Sequence, residues 1–481
     1  MSVWENLEPR AVFHFFEEIC AIPHGSGNTA QISKYLQSFA AERGIWYRTD
    51  ELGNVVMRKP ASFGYEEVPG LIIQGHMDMV AVKEADCEKD MQTEGLDPAI
   101  DGDYVCAVGT SLGGDDGIAV AYGLALMDDD SIPHPQLELI ITVDEETGMF
   151  GANALDMSDI TGRRFLNLDS EDEGCFLTGC AGGRRLKGQV DRSLITVRGR
   201  QVTITVAGLQ GGHSGGEIHK ERGNAILLLG RVLAVVLNET ALSLISMSGG
   251  TAENVIPSSA QAVLVCAEPE KVQPAVDKVL ADLKKEYELR DPQVRVEVLA
   301  ADSDGVYQAD SQEATAHFIT LLTALPTGVQ AMSPSIPGMV ETSLNLGILS
   351  SDEESITLQY SIRSSVESTK YALSDRVAAI FALAGAHVEA GSDYPGWAYR
   401  VDSPLRDKMV RVYERMYGKK PQITTIHAGL ECGLFLGKCP DLDCVSMGPD
   451  MLDIHSTNEK LSISSVKRVW EYLLELLKDK A

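Results

Sequence analysis

The sequence predicts an α/β protein, a mostly parallel-sheet domain interrupted by an α+β insertion, on three observations. Over roughly the first 180 residues, apolar β-branched runs alternate with helix-like stretches, which suits a parallel sheet covered on both faces. From about Leu186 the texture shifts to alternating strands in β-α-β-β-α-β order, the split pattern of a smaller sandwich. After GSDYPGWAYR, which starts at Gly391, the α/β texture returns. A chain of 481 residues exceeds one ordinary core, and the economical division is 1–183 and 396–481 for the α/β domain with 184–395 inserted.

Taken in order, PGLIIQGHMDMV is a strand and DDGIAVAYGLALM, from Asp115, a helix. QLELIITVDEE from Gln136 and RRFLNLDSE from Arg163 are further strands. In the insertion, QVTITVAGLQ, LSLISMSGG and AQAVLVCAEP read as strands, interleaved with helices near AILLLGRVLAVVL and KVQPAVDKVLADLKKEYEL. A similar set recurs from Val340 (ETSLNLGIL, SITLQYSIRSS, then a helix through ALSDRVAAIFALAGA), so two related halves are expected. A helix around DKMVRVYERMYG, the strand DLDCVSMGPD and the helix SSVKRVWEYLLELLKD close the chain.

The balance of 41 basic against 70 acidic residues gives a net charge of −29, a field that repels nucleic acid and anionic membranes. Nine scattered cysteines with no CxxC pair argue against a disulfide framework and for a reducing, cytoplasmic setting. The N-terminus carries Glu5, Glu17 and Glu18 with no basic segment before an apolar core, so no signal peptide is expected. The longest apolar stretch, from Ala225, is broken by Arg231 and is too short to span a bilayer.

Polar residues gather where strands end, the place where open α/β sheets bind ligands. His76 and Asp78 follow one strand, Asp115 and Asp116 open a helix, and Asp144, Glu145 and Glu146 follow another strand. Asp169 and Glu171 follow FLNL, and Asp453 and His455 come far downstream. Any single cluster reads as helix caps and solvated loops. Five at one end of one sheet read as a site. Oxygen and imidazole donors without thiolates suit Zn²⁺, Co²⁺ or Mn²⁺, and the set suffices for two ions sharing a carboxylate, at the usual separation of about 3.5–4 Å. In an extended chain Glu145 and Glu146 face opposite ways, so one can bind metal while the other acts as general base. Asp78, two residues from His76, is placed to hold its imidazole.

GHMDMV, LGGDDGIA, VDEETG, NLDSE and DIHSTNE, in that order, resemble the dinuclear metallopeptidases of the aminoacylase and carboxypeptidase group, and among them the aminoacyl-histidine (cytosolic non-specific) dipeptidases. The resemblance runs over essentially the whole chain. It implies Asp115 as bridging ligand, with His76 and Asp169 completing one metal and Glu146 and His455 the other. It also implies Glu145 as base, Asp78 as orienter of His76, and a cis peptide after Asp115. GGHSGGEI resembles the lid loop whose histidine, here His213, stabilises the oxyanion. Asn254 in GGTAENVIP, Arg363 in YSIRSS and the backbone near Gly429 in AGLECG are the implied substrate contacts, Arg363 suiting a free carboxylate. His24 and His219 read as structural, and His427 as close to the substrate without being a ligand.

The implied function is hydrolysis of Xaa-His and related dipeptides with two divalent ions, zinc first and cobalt or manganese on the same donors. The partner is then a small dipeptide. A homodimer is compatible with the sequence and is not required for catalysis if the lid is doubled. Two rivals are weighed against this. One is an amidohydrolase of the same fold acting on N-acyl amino acids. The other is a serine hydrolase on GTSLG, with Ser111 as nucleophile, which leaves the acidic residues without a role. GSGNTA follows a helix-like segment and fails as a dinucleotide site, and HExxH is absent.

Overall fold

In the computed structural model, residues 3, 4 and 6–480 are described, and Glu5 lies outside them. The chain forms two compact units, one of residues 1–179, 399–425 and 430–481, the other of 180–398 and 426–429. Residues 426–429 thus belong with the second unit, within a stretch that texture alone assigns to the first.

Among the described residues, the first unit's sheet has eight strands, in the order Trp46–Thr49, Val55–Lys59, Leu137–Thr142, Leu71–His76, Arg164–Asn167, Asp443–Ser446, Cys175–Cys180, Gln422–Ile426. The centre is parallel: Leu71–His76 pairs in that sense with Leu137–Thr142 on one side and Arg164–Asn167 on the other, and Asp443–Ser446 extends it. The flanks are antiparallel, so the sheet is mixed and its parallel part is confined to the strands that carry the site. Every residue of Leu71–His76 and of Leu137–Thr142 is buried, which is why both read as continuous apolar runs rather than alternating ones.

Helix Gly114–Asp128 lies against this centre and is buried along nearly its whole length, with apolar residues all round. Phe16 and Ile19 of helix Arg10–Cys20 pack against Gly117, and Tyr122 stacks on Trp470 of helix Ile463–Lys478 at 6.3 Å. Gly75 sits inside its strand for a steric reason: a Cβ there would lie 2.5 Å from Asp116 Oδ2. A small antiparallel sheet, in the order Met451–Leu452, Lys460–Ser462, Tyr104–Ala107, Pro98–Asp101, was not foreseen. It sets the loop 453–459 beside the segment that leads into Asp115.

The second unit is built on an antiparallel sheet of two halves. The first half has strands Ile195–Ala207, Leu242–Gly249, Ala260–Cys266 and Arg295–Ala309, with helices Ala225–Leu237 and Val272–Glu286 after its first and third. Numbered along the chain, its spatial order is 4-1-3-2. The second half takes Gly182–Asp191, Val340–Ser351, Ser355–Ser364 and His387–Tyr394, with helices Gln312–Ala324 and Glu367–Leu383, in the mirror order 2-3-1-4. The halves join where Ser248 and Gly249 pair with Ser350 and Leu349. The expected doubling is therefore present in topology. It is faint in sequence because the first strand of the second half precedes the entire first half.

Candidate metal centre

The strand ends dictate the site. His76 closes the central strand, Thr142 closes its neighbour, and Asp169 follows Asn167, the last residue of the third. Gly113, in the left-handed region at φ 67°, turns the chain so that Asp115 enters the helix with extended dihedrals (φ −83°, ψ 106°). His455 sits in the loop 453–459 with a positive φ of 60°.

These elements place one carboxylate between two imidazoles. Asp115 Oδ1 is 3.2 Å from His76 Nε2, and Asp115 Oδ2 is 3.0 Å from His455 Nε2. Asp169 Oδ1 lies 3.9 Å from His76 Nε2 on one side, and Glu146 Oε1 lies 2.8 Å from His455 Nε2 on the other. Three donor groups fall within 4.8 Å of one another: Asp115, Glu146 and His455; His76, Glu145 and Glu146; and His76, Asp116 and Asp169. The expected ligands are thus brought together, with Asp116 beside them.

The charges explain what such a cluster takes. Burial opposes ionisation of Asp115, yet the hydrogen bonds from His455 and His76 hold its carboxyl below the usual range. Hydrogen bonding to Asp115, with Glu146 alongside, raises His455 to about 10. Burial pushes Glu145 up to about 8, helped by Glu431, Glu146 and Asp115, and pushes Asp169 up too, helped by Asp116 and Asp115. Glu171 rises to about 7 by burial and the charge of Asp115. Buried carboxylates crowded in this way lack positive charge. Among the described residues, Asp116 Oδ1 is buried without a hydrogen-bond partner, and Glu146 Oε1 faces only the His455 imidazole. An unpaired oxygen, imidazole nitrogens and an excess of negative charge fit divalent cations.

Two local expectations need correcting. Glu145 and Glu146 do not face apart along a strand, because the strand ends at Thr142 and Asp144 turns left-handed at φ 53°. Gly148 and Met149 then donate to the carbonyl of Glu145, and the turn brings both carboxylates to His76. Asp78 holds the imidazole mainly through its backbone: His76 Nδ1 donates to the Asp78 carbonyl at 2.9 Å, with the carboxylate at 3.5 Å. The Asp78 carboxylate is occupied by Ser26 Oγ at 2.8 Å and by the N–H groups of Glu145 and Glu146 at 3.0 and 3.3 Å. It therefore fixes the acidic turn as well as the histidine.

The second unit holds the other expected residues. His213 and Val255 pair in a short ladder beside Asn254, whose carbonyl accepts from Ser214 N at 2.8 Å. Gly216 N donates to His213 Nδ1 at 3.1 Å, so the neutral ring carries its proton on Nε2. Desolvation and the charge of Arg363 lower the pKa of His213 and favour that neutral form. Arg363 is 8% exposed; its Nη1 donates to Tyr394 Oη at 3.2 Å and its buried Nε has no partner among the described residues. Ser343, its neighbour across the ladder, bonds His427 Nε2 at 2.7 Å, and burial followed by Arg363 drives His427 down to about 3. Gly429 follows the strand Gln422–Ile426 and ends the segment 426–429.

Ser111, the rival nucleophile, is fully buried. Its hydroxyl donates to the Val80 carbonyl at 2.7 Å and accepts from Val82 N at 3.2 Å, the bonding of a loop clamp. Sequence reasoning assigned no part to Glu459 or to a buried row beneath the site. In that row Asn167 donates to Gln74 Oε1 at 2.7 Å, and Gln74 and Thr142 both donate to Glu431 Oε2. Gln74, a polar residue inside an apolar strand two positions before His76, was the available signal.

A mixed sheet whose parallel strands end beside one carboxylate flanked by two imidazoles and further acids is the arrangement of a metal-binding site. The chain belongs to peptidase family M20/M25/M40, whose model matches residues 72–479, and it is a hydrolase acting on peptide bonds. It is 38% identical to the cytosol non-specific dipeptidase of Escherichia coli over 100% of this chain and 99% of that one. Its structure matches an aminoacylhistidine dipeptidase from Vibrio alginolyticus with a TM-score of 0.93 and 36% identity, over 99% and 98% of the two chains. An aminopeptidase PepT from Bacillus cereus, with 17% identity, a TM-score of 0.57 and 98% and 99% coverage, shares the fold.

Proposed function

We infer that this protein is a two-metal dipeptidase that cleaves dipeptides bearing a free C-terminal carboxylate, histidine-containing ones among them. The observation that carries the reading is the Asp115 carboxylate, with one oxygen 3.2 Å from His76 Nε2 and the other 3.0 Å from His455 Nε2. His76, Asp115 and Asp169 would hold one divalent ion and Asp115, Glu146 and His455 a second, zinc first, with cobalt or manganese accepted by the same donors. The chemistry such ions supply is Lewis acidity, a lowered water pKa and a polarised carbonyl.

Glu145, adjacent to the ligand Glu146, takes the proton of the attacking water and returns it to the leaving amine. Its carboxyl is held high by burial, a setting in which a base can also act as acid. His213, with its proton on Nε2, donates to the developing oxyanion. Arg363 is a nearly buried cation with one bond to a neutral phenol, which suits a ligand that brings its own carboxylate. Asn254 and the backbone at Gly429 are assigned polar contacts to the peptide. Including histidine-containing dipeptides rests on the likeness to the Vibrio alginolyticus aminoacylhistidine dipeptidase.

N-acyl amino acids also carry a carboxylate, so an amidohydrolase is the second reading, and substrate choice separates the two. Release of histidine from β-alanyl-histidine and leucyl-histidine is measured as purified, after chelation, and with zinc, cobalt or manganese restored. An N-acetyl amino acid and a Glu145→Gln variant run alongside. Hydrolysis of the dipeptides that is lost on chelation, regained with metal and absent in the variant supports the dipeptidase. Hydrolysis of the N-acyl substrate alone overturns it.

A further inference from the structure

Asp115 stands at a place in the chain where an aspartate normally serves its own backbone. The first N–H groups of a helix have no intrahelical acceptor, and a short acidic side chain at such a terminus folds back to bond them. Had Asp115 done so, at most one of its oxygens would remain for anything else. Instead both face imidazoles, at 3.2 and 3.0 Å.

The backbone donors are taken by a residue 344 positions away. Glu459 Oε2 accepts from Leu112 N at 2.8 Å and Gly113 N at 3.0 Å. Glu459 Oε1 accepts from Gly114 N at 2.8 Å and, more weakly, from Asp115 N at 3.3 Å. One carboxylate thus satisfies four consecutive N–H groups. It is 3% exposed, so these charge-assisted bonds compete little with water. The local sequence makes room for it. A Cβ on Gly114 would lie 3.2 Å from Glu459 Oε1, and Gly113 supplies the left-handed turn at φ 67°.

Glu459 also shares a loop with His455. That loop is braced internally by Ser456 Oγ, which donates to the Asp453 carbonyl at 2.6 Å and accepts from Asn458 N at 3.1 Å. Its end is anchored where Leu452 pairs with Lys460 and Leu461 with Val105. Two ties therefore join the same two loops: the Glu459 carboxylate to the backbone at 112–115, and His455 to the Asp115 side chain.

We propose that Glu459 is a positioning residue that holds the backbone ahead of Asp115, leaving both Asp115 oxygens free, and keeps His455 in register with them. It rests on the two-ion reading given above. Glu459 is not among the proposed ligands; its carboxylate is taken up by four backbone N–H groups, and it acts through the geometry of the shared ligand. Residues that orient ligands in this way alter metal affinity by about 10- to 100-fold when changed.

The test is a metal titration of the whole protein. Metal-free wild type, Glu459→Gln and Glu459→Asp are titrated with Zn²⁺ against a chromogenic chelator, beside circular dichroism and thermal melts. Glutamine keeps the shape but places an NH₂ among donors, and aspartate keeps the charge but shortens the reach. In the expected result wild type takes two ions, and E459Q keeps its fold but binds at least one ion about 10- to 100-fold more weakly, E459D falling between. A parallel drop in kcat with KM retained would accompany it. If E459Q does not fold, the E459D titration decides alone. Variants that melt earlier but titrate like wild type overturn the proposal and leave Glu459 a helix cap. A wild type that binds fewer than two ions overturns the two-ion reading itself.

Discussion

Glu431 offers the sharpest measurement of how strongly the cluster strains against itself. Its side chain is fully buried, Oε2 accepts from Gln74 and Thr142, and Oε1 has no partner among the described residues. Burial is the main cause that raises its carboxyl from an ordinary 4.5 to about 7. A carboxyl so raised binds its proton more tightly in the folded than in the unfolded protein. Its contribution to stability is therefore full at low pH and is lost as pH climbs from 4.5 to about 7. Glutamine at 431 does not titrate. It keeps an acceptor toward Gln74 and Thr142 and turns its amide to the unpartnered side, a cost that does not depend on pH. Measured in urea with the metal-free protein at pH 5, 6, 7 and 8, the stability of Glu431→Gln relative to wild type should rise by about 2.5 kcal/mol from pH 5 to pH 8. Loss of the Glu431 charge also relaxes Glu145, which adds in the same direction. A difference that stays flat across that range refutes the electrostatic account of the site, whatever its absolute size.

Three further outcomes follow from the same geometry. Glu145→Gln should lower kcat by about 10²- to 10⁴-fold while the zinc stoichiometry stays at the wild-type value, because a base is lost and no assigned ligand is touched. Arg363→Met should raise KM for dipeptides by about 10- to 100-fold, the worth of a hydrogen bond to a charged group. Its melting temperature should not fall, since the guanidinium removed bonds a phenol and has no salt-bridge partner among the described residues. Ser111→Ala should keep full activity and lose only about 1 kcal/mol of stability for two bonds to backbone; loss of turnover would revive the serine mechanism.

Much of the site was legible because strands announce their ends. An apolar run that stops at His76, Thr142 or Asn167 marks a sheet edge, and the polar residues just beyond it must share that edge. The turn after Thr142 was not legible, because alternation says nothing once the chain leaves extended geometry at Asp144. The flanking strands Val55–Lys59 and Cys175–Cys180 pair antiparallel by contacts distant in sequence, so texture alone counted the sheet as more parallel than it is. The doubled second unit was half visible, since Gly182–Asp191 is separated from its own half by more than a hundred residues. Glu459 stood in plain sight in DIHSTNE. A long-range acceptor for four backbone N–H groups, however, has no periodicity and no spacing to betray it.

The buried row beneath the site explains how a sheet tolerates this cluster. Gln74 and Asn167 each sit two residues before a proposed ligand, His76 and Asp169, on the same strand face. Their amides bond each other at 2.7 Å, tying the central strand to its neighbour by side chains as well as by the ladder. On the other side of the strand end, Asp116 Oδ2 accepts the His76 N–H at 3.1 Å, so its own backbone fixes where the imidazole starts. Like-charged groups held near one another would spread if the frame could give. A parallel centre buried on both faces, cross-linked by amides and capped by Glu431, cannot give cheaply. The repulsion is then relieved by cations rather than by movement, and a preformed arrangement of donors follows from the packing alone.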